Sequence, residues 1–218
     1  MLKLITRLLV PARCILCNTE GSSLCENCLI TLEKQPRVCY LCNAITTDGR
    51  VCASCQWRTR VRRTVILWSY RKGVDKIVQA IKYEGSEDVA RKLALLLAQA
   101  SLPSFDLITF VPDTSKRRRE RGYVAPQLIA RELSRLTRKP YIELLTRTTH
   151  TPQVGAGREM RWRQVKGNFV SKHLALFEGK RILLIDDVIT TGATVTECAK
   201  ILKLDGSGPI FVVAIAKK

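Results

Sequence analysis

The chain has 218 residues, room for one medium domain and a small one, and 46% of them are hydrophobic, as in a globular protein. No apolar stretch is long enough to cross a bilayer, and the start, MLKLITRLLVPARC, lacks the long apolar core and small-residue cleavage site of an export signal, which predicts a cytoplasmic protein. The formal charge of +18 points to polyanions: nucleic acid, nucleotides, pyrophosphate or an anionic membrane face.

That charge is concentrated. Residues 113–166 carry fourteen Lys or Arg against five Asp or Glu, and residues 1–63 carry ten against four.

Eight of nine cysteines fall in four C-x-x-C pairs, Cys14/Cys17, Cys25/Cys28, Cys39/Cys42 and Cys52/Cys55. Two intervening residues let both thiolates reach one tetrahedral ion at about 2.3 Å. Four pairs suffice for two closed four-sulfur zinc sites, structural rather than catalytic, in a segment too small to fold on a core of its own. Disulfides suit exported proteins, and a redox C-x-x-C stands alone beside a strand–helix unit, so zinc is the better reading. Spacing leaves open whether the pairs share ions in sequence or in a cross-braced order. Cys198 stands apart and reads as a buried packing residue.

Beyond Cys55 the pattern predicts a strand over Val65–Tyr70, then a helix carrying Val74, Ile77, Val78 and Ile81 at helical spacing. Gly85 interrupts it, and a second helix follows through Val89, Leu93, Leu96 and Leu97. Strands are expected at Asp106–Val111, Tyr141–Leu145, Ile182–Ile185 and Ile210–Ala216, with a helix over Pro126–Leu136 that ends before Pro140. Alternating strands and helices predict a mainly parallel sheet with helices on both faces, and a ligand site beyond the carboxyl ends of the strands.

Two basic stretches fall near those ends. VPDTSKRRRERGY reads as a loop leaving a strand, with Lys116, Arg117, Arg118, Arg119 and Arg121 placed to receive pyrophosphate and Gly122 allowing a tight turn. The competing reading is a solvated charged face. TPQVGAGREMRWRQVKGNF combines Gly155 and Gly157 with Arg158, Arg161, Arg163 and Lys166. It suits a lid over a phosphorylated substrate, or a grip on a nucleic-acid backbone with Trp162 stacking on a base.

The stretch RILLIDDVITTGATV carries the sharpest signal. A short aliphatic run suits a strand buried on both faces, and Asp186 and Asp187 are expected to end it. Thr190, Thr191, Gly192, Ala193 and Thr194 form a small loop that a phosphate can approach, with Thr194 expected to cap a helix starting near Val195. The acids lie too close to bind phosphate and suit sugar hydroxyls, or a magnesium ion that the ligand brings. The order of elements resembles the D-D-x-x-T-T-G-x-T signature with which type I phosphoribosyltransferases bind phosphoribosyl pyrophosphate (PRPP).

Taken together, these stretches resemble the ComF/GntX family along nearly the whole chain. The family's proline-led basic loop ending in R-G-F/Y matches Pro112, Arg117, Arg121, Gly122 and Tyr123; its Q…R-x-R…F stretch matches Gln153, Arg161, Arg163 and Phe169. The acidic-pair loop matches at Asp186, Asp187, Thr190, Thr191, Gly192 and Thr194. Two departures stand out: Val124 and Ala125 replace an Asn-Gln pair, and Gln164 replaces an Asn.

The resemblance implies a cysteine-rich zinc-binding module over residues 1–60 and an α/β, type I phosphoribosyltransferase-like domain over residues 61–218. It implies PRPP with magnesium as ligand, Asp186 and Asp187 as the catalytic pair on the ribose hydroxyls, and residues 190–194 on the 5-phosphate. It further implies an accessory role in DNA uptake and natural transformation, with single-stranded DNA on the basic surface and a DNA-uptake helicase or other competence proteins as partners. Two other functions fit the same residues. One is a metabolic phosphoribosyltransferase acting on a small base or amine, and the other a PRPP-sensing nucleic-acid regulator without turnover.

Overall fold

A computed structural model describes residues 12–148, 162 and 165–218. Its centre is a four-stranded parallel sheet in the order β1-β6-β5-β2, formed by β1 (Val61–Ser69), β2 (Leu107–Phe110), β5 (Ile182–Ile189) and β6 (Ile210–Lys217). The two central strands read ILLIDDVI and IFVVAIAK, near-continuous apolar runs of the kind that both-face burial demands. A second, antiparallel pair joins β3 (Leu145–Arg147) to β4 (Phe169–Ser171).

One face of the sheet is covered by α2 (Val74–Tyr83), α3 (Glu87–Gln99) and α5 (Ala125–Thr137). Val74, Ile77 and Ile81 recur on one side of α2, Val89, Leu93 and Leu97 on one side of α3, and all six are buried with Ile108, Leu183, Ile185, Val213 and Ile215 of the strands. Ser86 caps α3 by accepting the Val89 N–H, and Glu87 and Asp88 sit in its first turn, where negative charge favours the helix. The other face is covered by α6 (Ala193–Leu204), whose Cys198, Ala199 and Leu202 pack on Ile182, Leu184, Ile210 and Val212. The expected mainly parallel sheet with helices on both faces is therefore present.

The cysteine-rich segment, with the short helix α1 (Glu26–Thr31) and a 3-10 turn over Ala53–Arg58, does not stand clear of this core. Leu24, Leu29 and Leu32 join the first apolar cluster, while Tyr40, Leu41 and Val51 join the second. It also covers both ends of the outer edge of β1 through bridges at Lys34–Trp68 and Arg50–Arg63, which shortens an edge strand otherwise open to aggregation.

Several expected boundaries are corrected. The acids do not end their strand: β5 continues through Asp186 and Asp187 to Ile189. The strand expected at Tyr141–Leu145 is absent; Tyr141 makes one bridge to Ile108, and extended pairing begins only at Leu145. VPDTSKRRRERGY is not an irregular loop but contains the helix α4 (Ser115–Arg121), capped by Thr114 through the Arg117 N–H and closed by left-handed Gly122. Finally, α6 starts at Ala193 behind Gly192, so Thr194 lies inside the helix rather than capping it.

Candidate functional site

At the carboxyl end of β5, a cleft of about 380 Å³ opens between α2, α4, the start of α5 and the β5–α6 turn. Asp186, Asp187, Thr190 and Thr194 line it, facing Lys82, Asp113, Arg117, Arg121 and Arg147. A larger groove of about 550 Å³ beside β1 has a mainly apolar wall and contains no adjacent acidic pair facing clustered arginines.

The turn is built for close approach. Gly192 has φ 78°, a left-handed conformation that L side chains resist, and it places the first turn of α6 against the cleft. Its own carbonyl accepts the Thr196 N–H at 3.0 Å, while the Ala193 N–H turns to Thr191 Oγ1 at 3.3 Å. The N–H groups at this end of α6 carry the positive pole of the helix, the chemistry that receives a phosphate dianion.

Asp186 is in phase with Ile182 and Leu184 and is itself buried, at 8% exposure. Burial first, and the charge of Asp187 second, push its carboxyl up to about 8, opposed by its neighbour's N–H at 2.9 Å and by the charge of Lys82. Asp187 is also shifted up by burial, but Lys82 Nζ stands 3.1 Å from its Oδ1 and pulls the other way. Two adjacent acids thus sit in different surroundings, one with its carboxyl shifted well upward by burial and one paired with Lys82. A polyol or a cation entering the cleft meets both an acceptor and a carboxyl ready to give up its proton.

The cationic wall opposite has a single acidic organiser. Asp113 lies 3.6 Å from Arg117 Nη1 and 3.5 Å from Arg121 Nη1, and the Arg121 guanidinium also rests 4.6 Å over the Tyr83 ring. Arg147 at the end of β3 faces the same space, its pKa lowered by burial. Lys116, Arg118 and Arg119 do not line the cleft: Arg118 pairs with Glu143 at 3.1 Å, Lys116 approaches Glu120 at 3.9 Å, and Arg119 is exposed. Gly122 ends α4 with open space around it. Arg158, Arg161 and Arg163 lie outside the described residues. Trp162 is partly buried and packs against the second apolar cluster rather than standing free.

Sequence reasoning missed Lys82, Asp113 and Arg147. Lys82 sits where a helical pattern read for its apolar positions gives no signal, and Arg147 follows a strand expected to end two residues earlier. Only Asp113, one residue after Pro112 at the end of β2, had a sequence cue.

The cysteines form two tetrads, Cys14/Cys17/Cys25/Cys28 and Cys39/Cys42/Cys52/Cys55, each with its sulfurs within 4.8 Å of one another. The pairs therefore assemble in chain order, and the cross-braced arrangement is excluded. Both tetrads open on the same knuckle, Cys-Ile-Leu-Cys-Asn and Cys-Tyr-Leu-Cys-Asn, with Asn18 and Asn43 at φ 65° and their N–H groups donating to the Cys14 and Cys39 carbonyls. This repeat was visible in the sequence.

All-sulfur donor sets at this spacing fit zinc. The crowding supports this: Cys17 is brought down to about 6 by the Thr19 hydroxyl while Cys28 is pushed up to about 12 by Cys17. In the second tetrad Ser54 brings Cys52 down to about 6, while burial and its neighbours push Cys55 up to about 12. Four thiols so close cannot all ionise unless a dication replaces their protons.

Sheet order, acidic pair, glycine-led helix and sulfur tetrads define an α/β domain with a parallel sheet joined to a cysteine-rich segment able to hold two metal ions. No family model matches the chain. It is similar to Competence protein F from Haemophilus influenzae, 28% identical over 94% of this chain and 96% of that one. It is likewise similar to DNA utilization protein YhgH from Escherichia coli K12, 27% identical over 94% of this chain and 96% of that one. The ComF/GntX resemblance thus holds across nearly the full length. Among solved structures, the chain is similar to glutamine PRPP amidotransferase from Bacillus subtilis, with 23% identity, a TM-score of 0.44, and coverage of 63% of this chain and 30% of that one. No helix among the described residues is long and apolar enough to cross a membrane.

Proposed function

We propose that this protein is a ComF-like accessory of DNA uptake or utilization that binds PRPP in the cleft and single-stranded DNA on its basic surface. The observation that carries the first half is the cleft itself: a buried acidic pair beside a glycine-led helix start, facing three arginines. In this reading residues 190–194 receive the 5-phosphate, Asp186 and Asp187 the ribose hydroxyls, and Arg117, Arg121 and Arg147 the pyrophosphate. Magnesium would neutralise pyrophosphate oxygens when bound with the ligand. As pyrophosphate leaves, the acids would favour positive charge at the anomeric carbon.

The second half rests on the charge surplus over residues 1–63 and 113–166, together with the printed names of the competence and DNA-utilization relatives. Lys116, Arg118 and Arg119 face away from the cleft and supply backbone contacts; Arg158, Arg161 and Arg163 would extend them. The same reading divides the chain near residue 60 into a zinc module and the larger domain, places it in the cytoplasm, and makes a DNA-uptake helicase a natural partner.

A calorimetric titration with PRPP and magnesium tests the cleft. Wild type should bind, and an Asp186→Asn/Asp187→Asn variant that stays folded should bind at least about tenfold more weakly, since charge-assisted hydrogen bonds are worth about 1.5–3 kcal/mol each. Unchanged affinity in that variant would reduce the acidic pair to a structural feature of β5.

A further inference from the structure

Tyr40 lies between two cysteines of the second tetrad, yet its side chain leaves that tetrad altogether. It is 1% exposed, and its hydroxyl sits 2.6 Å from Thr196 Oγ1 in the first turns of α6 and 2.6 Å from Thr59 Oγ1 ahead of β1. A phenol donates one hydrogen bond and accepts others, so both contacts are satisfied at once. The ring meanwhile lies flush under the turn: a Cβ built on Gly192 would stand 2.6 Å from its Cδ2 and Cε2 atoms, and 3.4 Å from Leu41. The floor beneath the glycine that opens α6 is therefore made by the two residues the second knuckle encloses.

The first knuckle has the same backbone and a different reach. There the equivalent residue is Ile15, packed against the cluster on the opposite face of the sheet, and the neighbouring Leu16 and Leu32 back Gly73 ahead of α2. Two near-identical knuckles thus address two different places, and one substitution, Ile to Tyr, separates them.

We propose that Tyr40 is a positioning residue that makes the Gly192 turn depend on the second cysteine tetrad. Metal on Cys39, Cys42, Cys52 and Cys55 fixes both ends of the Tyr40-Leu41 segment and hence the ring and hydroxyl under the turn. Loss of metal from that tetrad releases the segment, slackens the turn and weakens phosphate ligands. Loss from the first tetrad disturbs the turn distinctly less. The ligand part of this statement rests on the reading of the cleft as a phosphate site; the coupling of tetrad to turn does not.

The test uses full-length, zinc-loaded protein with two readouts: titration with ribose 5-phosphate, and amide hydrogen exchange over residues 196–199 without ligand. Tyr40→Phe keeps the ring and both tetrads; Thr196→Val removes the partner hydroxyl from the other side. Each should weaken ribose 5-phosphate roughly three- to tenfold and speed exchange at the start of α6, and the double variant should fall short of the product of the two effects. Cys42→Ala should do the same, while Cys17→Ala should lose one zinc and lower overall stability but disturb both readouts distinctly less than Cys42→Ala. Wild-type exchange at residues 196–199 in Tyr40→Phe and Cys42→Ala would overturn the coupling. So would an equal disturbance in Cys17→Ala, which would mean general loosening. If wild type takes no ribose 5-phosphate but the exchange pattern holds, the phosphate reading falls and the coupling stands.

Discussion

Lys82 Nζ, carried by the last turn of α2, lies 3.1 Å from Asp187 Oδ1 at the far end of the chain's sheet. The side chains are 28% and 15% exposed, so the pair is only partly screened by water. It opposes the burial that drives both acids upward. Removing the cation from a half-buried pair leaves a charge without its partner. Lys82→Met should therefore shift the pH at which PRPP binding reaches half its maximum upward, and cost about tenfold in affinity near neutrality. A pH series of titrations reads both; an unshifted profile would mean that Lys82 has no hold on the acid.

Asp186 gives the protein a stability slope of unusual sign. Its carboxyl is raised to about 8 in the folded chain from an ordinary value of 3.8. Between those values the folded chain holds a proton that the unfolded chain has released, so stability is greatest at the acid end and falls as pH rises through the window. Urea unfolding midpoints measured from about pH 5 to about pH 8 should decline in wild type and decline less in Asp186→Asn. Parallel slopes in the two proteins would contradict the buried, protonated state.

Metal removal should reach further than the cysteines themselves. Two zinc ions per chain are expected from the two tetrads. Because Leu24, Leu29 and Leu32 belong to one apolar cluster and Tyr40, Leu41 and Val51 to the other, chelation should lower the melting temperature of the whole sheet instead of unfolding residues 14–55 alone. Elemental analysis combined with calorimetry decides it, a separate low-temperature transition with an unshifted main one being the contrary result.

Gly192 separates backbone strain from ligand contact. An alanine there meets both a positive φ of 78° and the Tyr40 ring at 2.6 Å, so Gly192→Ala should destabilise the protein by about 1–3 kcal/mol before any ligand is considered. Thermal denaturation in the absence of phosphate gives the answer.

DNA binding should separate from the cleft. Charge reversal at Arg118 and Arg119, which lie outside it, should weaken single-stranded DNA alike for all sequences and flatten the salt dependence, while PRPP affinity stays nearly the same. Adding Arg117 to the set should reduce both, because that residue lines the cleft. Equal loss of PRPP binding in the first variant would merge the two surfaces.

The sheet and its site were legible to different depths. Unbroken apolar runs such as Ile182–Ile185 and Ile210–Ala216 announced a both-face-buried parallel sheet, and the acidic-pair loop marked its ligand end. The strand boundary at the acids was misread because two carboxylates look like solvent exposure; burial is tolerated here because it shifts one carboxyl towards its protonated form and the other has Lys82. Helix α4 escaped notice since SKRRRER has no apolar face for periodicity to register, and its start and stop are marked only by Thr114 and Gly122. Lys82, Asp113 and Arg147 meet across 39 to 105 residues of chain from Asp186 and Asp187 through the fold alone, a convergence that no local pattern encodes.

The strand order carries a consequence for how the chain reaches its folded state. β6, the last strand, lies between β1 and β5, and its partner across one side begins at residue 61 while its own first residue is 210. No hairpin or local unit can stand in for it, since β1 and β5 touch only through β6. The β5–α6–β6 unit can form locally, but adding β1 must close a loop spanning most of the sequence before that pairing is rewarded, which predicts a slow final step in completing the sheet. Any fragment stopping short of residue 210 would leave two buried-type strands with bare edges, and such fragments should aggregate.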